Sequence, residues 1–387
     1  MTKAILTTAI AAAALIGSAV AQSDPCKSAH SDEKSCNADT TTGGGCVWCK
    51  CEALPSSCWT IANSKKLPPA VYQCDSPSVM AKMQLQSEEE PKYTRIPFGR
   101  EVLSHCLHEV PSGAHSYAQP DGTTKVVAPD GSVMIIPKCV GLNGADHPVF
   151  RMSKNVKATG APLPPDYDGW LSYTSVNITD VGKTGGFDSF TSTMSVPDEP
   201  EGTPDVLYFF PGLQNEDWIP KVDPMPTESD PFDIIQPVLQ YPGGFFSSGW
   251  VLKSWYVTIN AGALYSSGMN VNEGDAIMCN MTRTGTDSWV VKGQVGDKVQ
   301  TQSATNAERL KVQPWAYSAV TECYGCDGCK TFPTKPITFT ENKLYQDGEL
   351  VKVAGSDWKV NAKPPVKFEC HEQTSVAANG DATTSFQ

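Results

Sequence analysis

The chain has 387 residues, with 30 lysines and arginines against 42 aspartates and glutamates, a formal net charge of −12 and a pI near 5.0. That acidic balance argues against nucleic acid as a partner. The length accommodates one large domain and a smaller one, and beyond the N-terminus no run approaches the ~20 consecutive apolar residues of a membrane helix.

Residues 1–21 carry one early lysine, Lys3, then an alanine- and isoleucine-rich stretch ending in Ala19-Val20-Ala21. This pattern predicts a secretory signal peptide cleaved before Gln22, and hence a secreted, extracellular protein. The polar tail "SVAANGDATTSFQ" argues against a lipid-anchor signal. All 14 cysteines follow the leader, where an oxidising route favours disulfides. The sequons at Asn177 and Asn280 can carry glycans on that route.

Seven cysteines fall between Cys26 and Cys74, in a segment too poor in aliphatics to fold without bridges. Residues 22–75 therefore read as a stapled cysteine-rich module in which one cysteine pairs elsewhere or stays free. A zinc site on Cys46, Cys49 and Cys51 lacks a nearby histidine to complete a usual ligand set. Neither metal nor cofactor is expected anywhere in the chain.

Residues 76–165 read as a linker and β-hairpin region, a possible prosegment. The stretch containing "SEEEPK" has little periodicity, whereas "GTTKVVAPDGSVMIIPKC" gives two β-prone runs around Pro129-Asp130-Gly131. Cys106 and Cys139 flank this piece and can pair. The spacing of His105 and His108 would place both on one face if the segment were helical. "ATGAPLPPDYDG" marks a second break.

Residues 166–350 carry short runs such as "SFTSTMSV", "DVLYFF", "GWVLKSWYVTI" and "DSWVVKGQV", punctuated by glycine, proline, asparagine and aspartate. The fold expected is mainly β: an antiparallel sandwich, or jelly roll, behind a small disulfide-rich N-terminal module. "CYGCDGC" at Cys323–Cys329 reads as a disulfide-pinned turn with partners such as Cys279 or Cys370. Residues 351–387 are expected to be a C-terminal extension with a disordered tail, and the molecule is expected to be a monomer.

Chemistry narrows by elimination. The chain has no Gly-x-Ser-x-Gly elbow, no His-Glu-x-x-His helix and no Gly-x-x-x-x-Gly-Lys phosphate loop, and its sandwich half holds a single histidine, His371, near the end. A histidine-based triad is therefore disfavoured. Within "FDIIQPVLQY" two amides, Gln236 and Gln240, interrupt an apolar run; strand alternation puts both on one face, and Pro237 suggests an edge or bulge. A buried amide without partners costs about 1–3 kcal/mol, so a role or a partner is needed.

In order along the chain, "FTSTMSVP", "YFFPGLQN", "IIQPVLQY", "WVLKSWYV" and "VNEGDAI", followed by "AVTECYGCDGCKTFPTKPITFTEN", resemble the segments of the fungal glutamic peptidases, the eqolisins. The resemblance covers roughly Tyr167 to Leu350; Pro-Gly-Leu-Gln departs from the family's Gly-Ile-Asp-Gly step, and so does Pro237. It implies a concanavalin-like jelly roll acting on polypeptides in acid, with Gln236 and Glu322 as the catalytic pair. Gln240, Trp250, Trp255 and Tyr256 are then candidate substrate contacts. "CVWCKC" and the residues ahead of it weakly resemble a PSI module. The alternative reading is a secreted, non-catalytic carbohydrate-binding sandwich whose aromatic rings stack on a glycan.

Overall fold

The structure, a computed structural model, describes residues 24–39, 41–51, 55–67, 72–74, 92–142, 149–151, 169–216, 233–243, 249–258, 262–362 and 370–386. The expected leader, all of "SEEEPK" but Lys92, and nearly all of "ATGAPLPPDYDG" lie outside the described residues. Met1–Pro91 and Lys92–Gln387 form two compact units. No helix among the described residues is long and apolar enough to cross a membrane.

The first unit is the stapled module. Strand β1 (Cys46–Cys51) pairs antiparallel with β2 (Ser57–Thr60) on one side and β3 (Tyr72–Cys74) on the other. Two short helices, Pro25–Ala29 and Glu33–Ala38, are capped by the side chains of Asp24 and Asp32. Buried Asp24 also accepts from Thr60 and Asn63, tying the first helix to β2. Disulfides Cys26–Cys46, Cys36–Cys58 and Cys49–Cys74 supply much of the missing core, with Trp59 and Val47 buried beside them. Two of the three cysteines weighed as zinc ligands are thus consumed in disulfides.

Twelve of the 14 cysteines are paired, and Cys51 and Cys279 are free. Cys106–Cys139 forms as expected, and Cys370 pairs Cys329 while Cys279 takes no part. Cys51 is half-buried, whereas Cys279 sits in the inter-sheet core, where burial pushes its thiol strongly upward. A thiol reagent at mildly alkaline pH is therefore expected to titrate one thiol per native chain and a second only after unfolding; two fast-reacting thiols would contradict this packing.

The second unit begins with a hairpin of β4 (Tyr93–Ile96) and β5 (Arg100–Leu103). It continues through β6 (Leu107–Val110), β7 (Ala114–Ala118), β8 (Thr124–Val127), β9 (Val133–Ile136) and β10 (Phe150–Arg151). The main body comprises β11 (Gly169–Asn177), β12 (Ser189–Ser195), β13 (Val206–Gln214), β14 (Asp233–Tyr241), β15 (Val251–Thr258), β16 (Gly262–Ser266) and β17 (Met269–Asn270). Next come β18 (Ala276–Gly285), β19 (Ser288–Val295), β20 (Lys298–Thr305), β21 (Trp315–Tyr324), β22 (Ile337–Gln346) and β23 (Glu349–Val351). The last three strands are β24 (Lys359–Ala362), β25 (Gln373–Val376) and β26 (Ala382–Ser385).

These strands make two large sheets, one ordered β24-β11-β21-β13-β14-β15-β16-β6 and the other β25-β26-β22-β12-β18-β19-β20-β7-β8-β9. Pairing is antiparallel except where β6 joins β16 and β7 joins β20 in parallel. Alternating side chains such as Ile235, Leu239, Phe190, Met194 and Trp289 pack between the sheets as the core of a β-sandwich. The opposite face of the first sheet is apolar as well, and the small sheet β10-β5-β4 covers it, burying Phe98, Val102, Leu103 and Phe150 against Trp170, Tyr208 and Tyr317.

Several expectations change here. The stretch around His105 and His108 is a single 3-10 turn running into β6, so no helical face holds the two histidines. The tail expected to be disordered forms the β25–β26 hairpin. Asn379-Gly380 closes its turn, with Gly380 at φ +88° and Ala377 N–H on Asp381 O, a hairpin signal that polar composition masked. Pro237 stands in a central strand rather than at an edge, between β13 and β15.

Candidate active site

The position of Pro237 reflects a local break. β14 pairs continuously with β15 from Asp233↔Thr258 to Gln240↔Val251. Its ladder with β13 lapses between Leu239↔Phe209 and Ile235↔Leu213. Pro211 and Pro237, neither of which can donate, fall within that gap. Gly212 faces it too, and a Cβ there would meet the Gln236 Oε1 at 3.6 Å. The break lies at the level of Gln236.

β21 is irregular for a different reason. Its register against both neighbours shifts near Ala319, a non-glycine residue at φ +48°. Such a bulge inserts one residue and re-aims the side chains on its C-terminal side. There Val320 and Tyr324 join the face covered by the small sheet, with Glu322 between them by alternation. On β14, Ile234 and Val238 occupy the same face with Gln236 between them. The two residues predicted as a pair therefore share one face of one sheet, with β13 between their strands.

Both side chains are fully buried, and both end on the tip of the β4–β5 hairpin. The Gln236 Nε2 donates to the carbonyl of Pro97. Glu322 Oε1 accepts from the N–H of Phe98 at 3.1 Å and of Gly99 at 2.5 Å. The Tyr324 hydroxyl lies 2.6 Å from the same oxygen, and 3.0 and 3.2 Å from the carbonyls of Arg100 and Ile96. Gly99 turns the tip at φ +71°, where a side chain would be strained. The other oxygens, Gln236 Oε1 and Glu322 Oε2, are buried without a hydrogen-bond partner, as are the indole N–H groups of Trp170 and Trp255 on the flanking strands. Trp170 is level with Glu322 in the register and opposes the rise in its pKa, although its indole N–H makes no geometric hydrogen bond.

Burial pushes the Glu322 carboxyl up to about 8, against the opposing pull of the Tyr324 hydroxyl and the Gly99 and Phe98 amides. Burial likewise lifts Asp233, on the inter-sheet side of β14, to about 7, opposed by Thr258, Tyr256 and Arg309. Both folded values exceed the ordinary 4.5 and 3.8, so the folded chain holds these protons more tightly than the unfolded one. Their stabilisation is complete below about pH 4 and is lost as pH rises through about 7 and then 8, at about 1.4 kcal/mol per pH unit for each proton. Thermal unfolding is expected at a higher temperature at pH 5 than at pH 7.5, with the difference reduced in Glu322→Gln and in Asp233→Asn. A melting temperature that climbs over that interval would oppose the assignment.

The remaining predicted residues divide. Trp255 stands beside Gln236 in the register, on the hairpin side, stacked on Tyr265 and edge-on to Tyr208. Gln240 lies level with Tyr208, which is level with Glu322, and its amide donates to Pro242 O at 3.1 Å. Trp250 packs against Phe209 and Tyr241 in the inter-sheet core, and Tyr256 donates to Asp233 Oδ2 in the same layer. Neither of these two lines the face that carries Gln236 and Glu322; the alternation of β15 sends them to the other side.

Sequence reasoning missed Tyr324, Trp170 and the Pro97-Phe98-Gly99 tip. Tyr324 was within reach, two residues beyond Glu322 on an alternating strand. The tip is held further by Arg95, which pairs with Asp205 at the start of β13 and lies 3.6 Å from Glu101. Glu101 also receives Arg151, at 2.8 Å, whose guanidinium lies over the Tyr93 ring.

No family model matches the chain, and no curated protein matches it. Among solved structures it is similar to scytalido-glutamic peptidase with a transition state analog inhibitor, at 15% identity over 57% of this chain and 98% of that one, with a TM-score of 0.40. A second structure of that peptidase, with a peptide based transition state analog, gives 14% identity, the same coverage and a TM-score of 0.39. SCP-B, a member of the eqolisin family of peptidases in a complex with the tripeptide Ala-Ile-His, gives 15% identity, 57% and 98% coverage and a TM-score of 0.38.

Proposed function

We propose that the chain is a secreted glutamic-type endopeptidase in a latent state, with Gln236 and Glu322 as its catalytic residues and residues 93–103 as its occluding element. One observation carries this reading. The two side chains bracket a single peptide group, Pro97–Phe98: the Gln236 amide holds its carbonyl oxygen, and the Glu322 carboxyl meets its N–H. Those are the contacts that hydrolysis of a peptide bond requires of an oxyanion donor and of a proton carrier to the leaving nitrogen.

With the hairpin tip displaced, a substrate peptide takes the place of Pro97–Phe98 and water enters beside Glu322. Exposure to solvent returns the carboxyl towards its ordinary value, so it ionises in mild acid. The carboxylate removes a proton from water as the oxygen attacks the carbonyl carbon. The Gln236 N–H stabilises the oxyanion, and Glu322 passes the proton to the departing nitrogen as the C–N bond breaks. A neutral amide suits this work, since it donates at any acidic pH and adds no charge beside the base. In the closed chain both residues are inaccessible and Glu322 is protonated, so the bracketed bond stays intact.

A glycan stacked on the predicted aromatic residues has little support. Trp250 and Tyr256 are buried between the sheets, and Trp255 is buried beneath the hairpin side. The proposed activity is tested by incubating the secreted protein with a denatured protein at about pH 3–4 in the presence of pepstatin, before and after limited proteolysis that nicks the β4–β5 hairpin. Hydrolysis that rises on nicking supports latency. A nicked, folded chain that releases no peptides refutes the enzymatic reading.

A further inference from the structure

Asp233 is a buried carboxyl that the proposed hydrolysis does not use. It is 1% exposed; Oδ2 accepts from the Tyr256 hydroxyl at 2.7 Å, Thr258 also acts on the carboxyl, and Oδ1 has no hydrogen-bond partner. It opens onto a cavity of about 720 Å³ between the ends of the two sheets, within the range of small-molecule sites. The opposite wall comes from β7, the β7–β8 turn and the residues after β20. There Ser116, 2% exposed, presents a second buried oxygen with no partner. Asn306 is held at φ +56°, in a loop pinned by Ala307 N–H on Asp287 O and by the Trp289 indole on Leu310 O. Both residues line the cavity, and a native fold rarely leaves two buried polar atoms so close to one without partners.

The chemistry of the walls selects among ligands. An apolar molecule would leave Asp233 Oδ1 and Ser116 Oγ unpaired and so would be penalised. An anion would meet Asp233 and Asp287 with Arg309 as the one cation among the lining residues, and an amine would meet Arg309. Hydroxyl groups satisfy every wall: they donate to a carboxylate, accept from a carboxylic acid, and exchange bonds with Ser116, Thr124, Thr305 and Gln119. We infer that this cavity is a binding site for a neutral polyhydroxylated ligand, a saccharide, separate from the Gln236/Glu322 face. Burial of Asp233, which keeps it protonated into the neutral range, fits a donor aimed at a sugar oxygen.

The test uses the full secreted chain, with glucose, galactose, mannose, N-acetylglucosamine, lactose and maltose as neutral probes and glucuronate and inorganic phosphate as anionic controls. Saturation-transfer NMR and calorimetry read binding. At least one neutral sugar is expected to bind in the millimolar range or tighter, weakened at least tenfold in Asp233→Asn and in Ser116→Val, with the anions weaker. Ser116→Val guards against a folding defect in Asp233→Asn, and both variants are expected to keep peptide hydrolysis by the nicked chain, so failure here leaves the enzymatic proposal untouched. Absence of binding to every neutral sugar, unchanged affinity in a folded variant, or tighter binding of an anion overturns the assignment.

Discussion

Glu322→Gln is expected to lower peptide hydrolysis by the nicked chain at pH 3–4 by about 10²–10⁴-fold, the usual contribution of a general acid–base group. The closed fold is expected to survive. In that state Glu322 is already neutral and works chiefly as an acceptor for Phe98 N–H, Gly99 N–H and the Tyr324 hydroxyl. The glutamine side-chain oxygen can take the same three contacts. Loss of activity with an unchanged near-ultraviolet circular dichroism spectrum therefore separates a chemical role from a structural one. If hydrolysis in the folded variant remained near the wild-type rate, Glu322 would be only an anchor for the hairpin.

Phe98→Ala should act in the opposite direction on activity. The Phe98 ring is fully buried, edge-on to Phe150 with centroids 5.9 Å apart, in the cluster that fastens the small sheet over Trp170, Tyr208 and Tyr317. Truncating a buried phenylalanine costs about 3–5 kcal/mol. Here that cost falls on the contact between hairpin and sheet. The intact chain is expected to lose thermal stability yet gain hydrolysis without nicking, because the open state becomes more populated. Lower stability without any gain in rate would mean that the hairpin is a permanent part of the wall rather than an occluding element.

The range of each interaction decides whether the sequence discloses it or conceals it. Strand alternation and turn residues are local, so the sandwich and the hairpin at Pro129-Asp130-Gly131 were legible, and the odd cysteine count anticipated an unpaired thiol. The face shared by Gln236 and Glu322 was not legible, because it depends on the bulge at Ala319, 83 residues beyond Gln236, and an alanine at positive φ leaves no mark in composition. Pro237 misled for a related reason: a central strand tolerates it only because Pro211 and Gly212 on the neighbouring strand share the same gap in the ladder. Polar composition hid the tail hairpin. It hid as well the role of residues 92–142, which read as linker and possible prosegment yet supply strands to both sheets and the tip that covers Gln236 and Glu322.

The decisive measurement is the rate of peptide hydrolysis at pH 3–4 in the Phe98→Ala background for Gln236→Ala, Glu322→Gln and the double variant. Two groups acting on one carbonyl as a unit make the double variant no slower than Glu322→Gln alone, with Gln236→Ala down by about 10²–10³-fold, as for loss of one oxyanion donor. Full activity in either folded single variant would contradict the account.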